Sequence, residues 1–176
     1  APLLDRVSQI EGATMEPIDY VKAIDEYYQA LGYPAYDWTV HDSTPFVPLK
    51  KPLSECRVSM LTSGGISHHT RPPFNPTAKN DLRVDDVDYR SDPGDFEIND
   101  AYYDTRDANK DLNVVFPIER LRELAEQGVI GSVAERLWSG FMGRTYNRSA
   151  VIEQTAPALV EELQKDEVDL LILVPA

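Results

Sequence analysis

EVDLLILVPA, residues 167–176, sets five consecutive apolar residues, Leu170 to Val174, behind the acidic Glu167 and Asp169 and ahead of Pro175. An unbroken apolar run of that length predicts a strand buried on both faces, the kind that sits inside a parallel sheet. Open α/β sheets bind ligands in the crevice beyond the carboxyl ends of such strands. Chemistry is therefore expected at Ala176 and just past it, with the active centre only half contained in residues 1–176. On this reading the chain is the front part of a longer or cleaved polypeptide.

Working back from that strand, Ile152, Leu159, Val160 and Leu163 predict the helix that feeds it, with Pro157 kinking the helix or marking its start. Leu137 to Met142 reads as a strand ending at Gly143. Pro117 followed by Ile118, Leu121, Leu124 and Ala125 predicts an amphipathic helix closed by Gly128. A short strand, Asn113 to Phe116, leads into it. RVSMLT, residues 57–62, is the first core strand, turned by Ser63-Gly64-Gly65. Short strands are expected near Val87 to Arg90 and Phe96 to Ile98, either side of an Asp92-Pro93-Gly94 turn.

Nearer the amino end, Pro17, Ile18, Val21, Ile24, Tyr28 and Leu31 mark a helix stopped by Gly32. Pro34, Pro45, Pro48 and Pro52 then remove too many amide donors for a helix or a central strand, so Tyr33 to Pro52 is expected to run as an extended arm, suited to dressing a partner subunit. The alternation of helix and strand predicts a three-layer α/β domain with a largely parallel sheet. Residues 1–176 then form one domain, with the helix and proline-rich arm in 1–55 and the sheet-bearing core in 56–176.

The chain has 176 residues, 42% of them hydrophobic and 27% charged, enough to bury a core and stay in solution. Seventeen basic against thirty acidic residues give a net charge of −13, which argues against nucleic acid or an anionic membrane surface as partner. Eleven acidic and four basic residues fall between Asp81 and Asp111, and a solvated acidic face is the ordinary explanation. No stretch approaches the roughly 20 apolar residues of a membrane span, and the amino end lacks a signal-peptide pattern, so a cytoplasmic location is expected. The lone Cys56 leaves no internal disulfide and reads as a small buried thiol at the start of a strand.

TSGGISHH, residues 62–69, joins a strand end to paired glycines, hydroxyls and histidines. Ser63, Gly64 and Gly65 suit a cradle for a small anion, because glycines let backbone amides approach a ligand. The spacing is neither a P-loop nor a dinucleotide fingerprint. His68 and His69 are adjacent, so on a strand they point opposite ways and do not share a metal. Asp107, Asn109 and Asp111 imitate a calcium loop, but Leu112 stands where glycine is needed and Ile118 where glutamate is needed. No metal is expected. In Tyr102-Tyr103-Asp104, a Tyr103 hydroxyl bonded to Asp104 would orient a substrate amine or move a proton; packing aromatics with a turn cap is the rival reading. His69 joins these two as a candidate proton carrier, and His68 and Asn113 join the Ser63-Gly64-Gly65 substrate-binding set.

Five segments together carry a resemblance: PIDYVKAIDEYYQALGYPAYDW (17–38), PFVPLKKPLSECRVSMLTSGGI (45–66), RPPF (71–74), YYDTRDANKDLNVVFPIERLRELAEQGVIGSV (102–133) and FMG (141–143). They resemble the selenoprotein B family, which includes the D-proline reductase subunit and the B components of glycine, sarcosine and betaine reductases. The likeness covers nearly the whole chain and is closer to the short D-proline-type members. The histidine that the family carries just after the paired glycines stands displaced here, at His68.

That resemblance implies reductive cleavage of a carbon–nitrogen bond in a small amine or amino-acid-like substrate. It implies an amine activated by a pyruvoyl carbonyl on a partner, attack by a thiolate or selenolate on the adjacent carbon, and turnover by a dithiol or redox-protein reductant. The chain itself carries no cofactor. The reactive Cys or selenocysteine is implied to follow the VDLLILVPA strand, on the next segment or a second subunit. Two other classes stay open: a non-catalytic ligand-binding or scaffold subunit of the same fold, and a pyruvoyl-type enzyme formed by cleavage after Ala176.

Overall fold

The computed structural model describes residues 19–36, 40, 42–45 and 47–176, and the chain divides into two compact units, Ala1–Phe46 and Val47–Ala176. In the first unit, helix α1 (Tyr20–Ala30) starts where the Asp19 side chain accepts from the Lys22 amide at 3.1 Å. Gly32, with φ +89°, follows its end. The expected starting residues Pro17 and Ile18 lie outside the described residues. None of the residues of α1 is buried, so its stripe of Tyr20, Ile24, Tyr27 and Tyr28 is exposed. The described residues of the proline-rich arm form neither helix nor strand as far as Pro52, where a single 3-10 turn, Leu53–Glu55, begins.

The second unit is a three-layer α/β fold around a mostly parallel sheet. Its strands are β1 (Arg57–Thr62), β2 (Ile66–His68), β3 (Val84–Asp88), β4 (Phe96–Ile98), β5 (Ser132–Val133), β6 (Arg136–Gly140) and β7 (Leu170–Val174). Its main helices are α2 (Ile118–Glu126) and α3 (Ala156–Lys165). β1 is the spine. It pairs in parallel with β7 from Val58↔Leu170 to Thr62↔Val174, and on its other side with β5 and then β6, also in parallel. β3 closes one side antiparallel to β6, and β2 and β4 form a separate antiparallel pair.

Side-chain alternation along β1 explains the layers. Val58 and Met60 are wholly buried in the main core with Phe116, Ile118, Leu121 and Leu137, beneath α2. Leu61 turns to the other face, where Trp138, Leu159 and Leu163 pack under α3. Buried hydroxyls are bonded: Ser59 donates to the Arg136 carbonyl and Ser139 to the Ile66 carbonyl, each at 2.8 Å. Arg136 ties β6 to α3 through Asp166 and Glu162, and those carboxylates hold its pKa above the usual guanidinium value.

Several expectations need correction. Among the described residues β7 pairs on one side only, with β1: Leu173 is 64% exposed and the other four residues are half-buried, because α3 leaves Leu173 uncovered. Residues 113–116 are not a strand: Asn113 and Val114 belong to a 3-10 turn, Leu112–Val114, which starts where Asp111 accepts from the Asn113 amide. The Leu137–Met142 strand stops at Gly140, because Phe141 takes φ +54° and leaves the sheet. The strand expected at Val87 starts earlier, since Val84 pairs with Gly140. Around Pro157 the helix widens: after one turn at Arg148–Ala150, a π-helical turn spans Val151–Thr155, with the Ala156 amide donating to the Val151 carbonyl, and α3 begins there. Proline brings no amide and its ring crowds the carbonyl four residues back, so the wider turn relieves both.

The burial contrast between β1 and β7 is testable. Met60→Ala empties a fully buried site and is expected to cost about 2–5 kcal/mol, whereas Leu173→Ala in the isolated chain should stay within about 0.5 kcal/mol. Urea unfolding of both variants measures this; equal losses would contradict the edge position of β7.

Candidate functional site

Because β1, β6 and β7 are parallel, their outgoing segments leave from one edge of the sheet. Ser63 joins two of them. Its amide donates to the Val174 carbonyl at 3.2 Å, and its hydroxyl accepts from the Ala176 amide at 3.1 Å. Behind the turn, Thr62 Oγ1 donates to the Val115 carbonyl at 2.6 Å and accepts from the Gly64 amide at 3.0 Å. Gly64 therefore spends its amide inside the protein and cannot offer it to an anion, which narrows the expected cradle. Gly65, at φ +67°, fits no other residue: a Cβ there would lie 2.6 Å from the Asn99 carbonyl oxygen and 2.8 Å from Met142 Cε.

Tyr103 comes to this turn from the acidic segment. Its hydroxyl donates to the Gly64 carbonyl at 2.8 Å. Burial, reinforced by the nearby Asp100 charge, pushes its pKa up to about 12, so the phenol stays protonated at neutral pH. The Tyr103–Asp104 hydrogen bond expected from sequence does not form. Asp104 instead accepts from Arg106 Nε at 2.9 Å with both oxygens. This guanidinium, with the Arg106 amide, lowers the Asp104 pKa to about 2.

The other candidates lie elsewhere. Asn113 works as a cap for α2: its Nδ2 donates to Asp111 and Glu119, and its Oδ1 accepts from the Glu119 amide. His68 ends β2, with Nδ1 2.7 Å from Thr70 Oγ1 and its ring edge-on to Phe96. Both histidines thus belong to the β2–β4 pair and the turn after it rather than to the β1–β7 edge. Among the described residues, no group of three or more His, Cys, Asp or Glu could hold a metal ion.

Sequence reasoning missed Asn99 and Met142. Asn99 donates its amide to the Gly65 carbonyl at 2.8 Å, and its Nδ2 is buried without a partner. Met142 sits inside the FMG segment that helped carry the resemblance, but only the fold brings it against Gly65. No local pattern marks either residue.

The family profile described as glycine/sarcosine/betaine reductase selenoprotein B matches residues 26–176. The chain belongs to that family. It is 32% identical over 133 residues to the D-proline reductase subunit gamma of Acetoanaerobium sticklandii, covering 73% of this chain and 52% of that protein. It is 31% identical over 147 residues to the glycine reductase complex component B subunit gamma of Symbiobacterium thermophilum, covering 78% of this chain and 32% of that protein. A sarcosine reductase complex component B subunit beta of Peptoclostridium acidaminophilum is 33% identical over 103 residues, 56% of this chain and 23% of that protein. This selenoprotein B family chain thus spans about half the length of the D-proline relative and less of the others. No solved structure matches it. No helix among the described residues is long and apolar enough to cross a membrane.

The Asp104–Arg106 pair gives a direct check. With its folded pKa lowered from 3.8 to about 2, Asp104 adds stability above its unfolded value, and that contribution is lost as pH falls through the folded value. A carboxyl NMR titration should place its midpoint near 2, and Arg106→Ala should return the midpoint toward ~3.9. An unmoved midpoint would show that Arg106 is not the cause.

Proposed function

We propose that the chain is one component of a thiol- or selenol-dependent reductase that cleaves a carbon–nitrogen bond in a small amine or amino-acid-like substrate. Family membership carries the reading, and the junction of Ser63 with Ala176 supplies an edge on which such chemistry can be assembled. The relatives' names carry D-proline, glycine and sarcosine, which sets the substrate class proposed here.

The nucleophile is proposed to come from outside residues 1–176. Their one thiol, Cys56, is fully buried at the amino end of β1, with Sγ 3.4 Å from the Pro52 carbonyl oxygen. A six-residue strand of roughly 20 Å separates it from Ser63. A thiolate or selenolate on a following segment or partner, arriving beside Ala176, would break the carbon–nitrogen bond. Carbon and nitrogen each take a proton, and two electrons come from a dithiol that ends as a disulfide. A pyruvoyl carbonyl, where a partner supplies one, would activate the substrate amine.

The residues at this edge bind and orient. Tyr103 stays a neutral phenol, so with its proton committed to Gly64 its oxygen can accept from a substrate ammonium. Asp104 remains charged and draws that ammonium in, and the Ser63 hydroxyl lies nearest the incoming nucleophile. Asn113 serves through α2 rather than by contact. His68 and His69 form an outer rim. The burial of the chain's one thiol also suits a ligand-binding or scaffold component, and a pyruvoyl-type enzyme would release carbon dioxide without using a reductant.

Activity of the complete reductase assembly separates these readings. Tyr103→Phe should lower kcat/KM by about tenfold or more, while Cys56→Ala should keep dithiol-dependent turnover. Residues 1–176 alone should give none. Full turnover by the isolated chain, or loss of turnover in a folded Cys56→Ala variant, would overturn the proposal.

A further inference from the structure

Parallel sheets are ordinarily covered on both faces and protected at their edges, and β7 has neither provision on its outer side. β1 takes one edge of β7, and among the described residues no strand pairs with the other. The face toward the main core is filled, with Leu170, Ile172 and Val174 packed against it. The face under α3 is not. There an apolar groove of about 470 Å³ runs between the helix and the strand, walled by Leu61, Val160, Leu163, Leu171, Leu173 and Pro175. Leu173 and Val160 are 64% and 48% exposed on its two sides.

An open strand edge beside a half-covered apolar face is the shape left when one βα unit of an open α/β sheet is taken away. The missing strand would bond the outer edge of β7, and the missing helix would lie beside α3 with its apolar stripe against Val160 and Leu173. A second helix alone would fill the groove but leave the strand edge bare. A strand alone would leave the groove wet. Both vacancies adjoin, so one strand-and-helix unit fills them together.

We infer that β7 and the adjoining flank of α3 are the interface for a βα unit of the same reductase, its strand parallel to β7 and its amphipathic helix seated in the groove. Its source is proposed to be reductase polypeptide outside residues 1–176. The D-proline reductase gamma subunit is matched over only 52% of its length, which leaves polypeptide enough for such a unit. Docked in parallel, the new strand ends on the same edge as Pro175 and adds its outgoing loop to the Ser63 and Tyr103 cluster. This inference rests on family membership and not on the proposed roles of Ser63, Tyr103 or Asp104.

Hydrogen–deuterium exchange of the complete reductase assembly and of residues 1–176 alone tests it. The amides of β7 should exchange at least tenfold more slowly in the assembly, while those of β3, at the opposite side of the sheet, should not change. The double variant Leu173→Asp, Val160→Asp alters two exposed side chains, so the isolated chain should keep its thermal midpoint and bind the complementary part of the reductase at least tenfold more weakly. Unchanged β7 exchange in the assembly would overturn the inference. So would protection of β7 that grows with the concentration of residues 1–176 alone, which would assign the surface to a second copy. If the double variant fails to fold, the exchange comparison on the unmodified protein still decides.

Discussion

The parallel pairing of β1 with β7 is the contact on which the rest of the structure depends. It runs through five consecutive residue pairs and joins positions more than a hundred residues apart. Its start is fixed by charge as well as by the ladder: Asp169 accepts from the Arg57 amide at 2.7 Å and pairs with Lys51 at 2.7 Å. These partners hold the Asp169 carboxyl below its usual pKa, Lys51 foremost. A slip of one residue would turn Val58 and Met60 away from the main core and put Leu61 in their place. The pairing therefore sets both the core and the edge at which Ser63 meets Ala176.

The two ends of β1 have opposite characters, and the difference follows from what covers them. At the amino end Cys56 is fully buried, its thiol against the Lys51 and Pro52 carbonyls. At the carboxyl end the backbone is drawn tight by Thr62, Val115 and Tyr103, yet the hydroxyl of Ser63 and the side chain of Asp104 remain reachable. The sheet thus presents a hydrogen-bonded rim and keeps its own thiol away from it. The matched relatives are named as subunits or components of reductases, and the buried thiol and open rim are what this chain contributes to that family's fold.

Within the candidate site, neighbours in sequence turned out to serve different partners. Tyr103 turns in to Gly64, and Asp104 turns out to Arg106, so adjacent residues contribute a neutral phenol and a persistent negative charge. Asn113 is bound up at the start of α2. The histidines are held by the β2–β4 pair, His68 opposite Phe96 and the His69 amide donating to the Asp95 carbonyl. Asn99 and Met142, whose place at the turn no local pattern shows, define its tightest point through contact with Gly65.

The sequence by itself determined the order of elements in the core, because apolar periodicity and Gly/Pro punctuation are local properties of the chain. RVSMLT, the IERLRELAE helix and the LLILV strand could be read without tertiary information, and the segments shared with selenoprotein B relatives pointed to the family. Whether LLILV was central or at an edge was beyond local reading, since an apolar run says that a strand can be buried and not which neighbours arrive to bury it. The short strands β2 and β5 depend on partners distant in sequence, and the π turn before α3 answers the geometry imposed by Pro157. Only the tertiary structure decided which side chains share a site, because the directions of Tyr103, Asp104 and Asn113 are set by hydrogen-bond partners that local spacing does not encode.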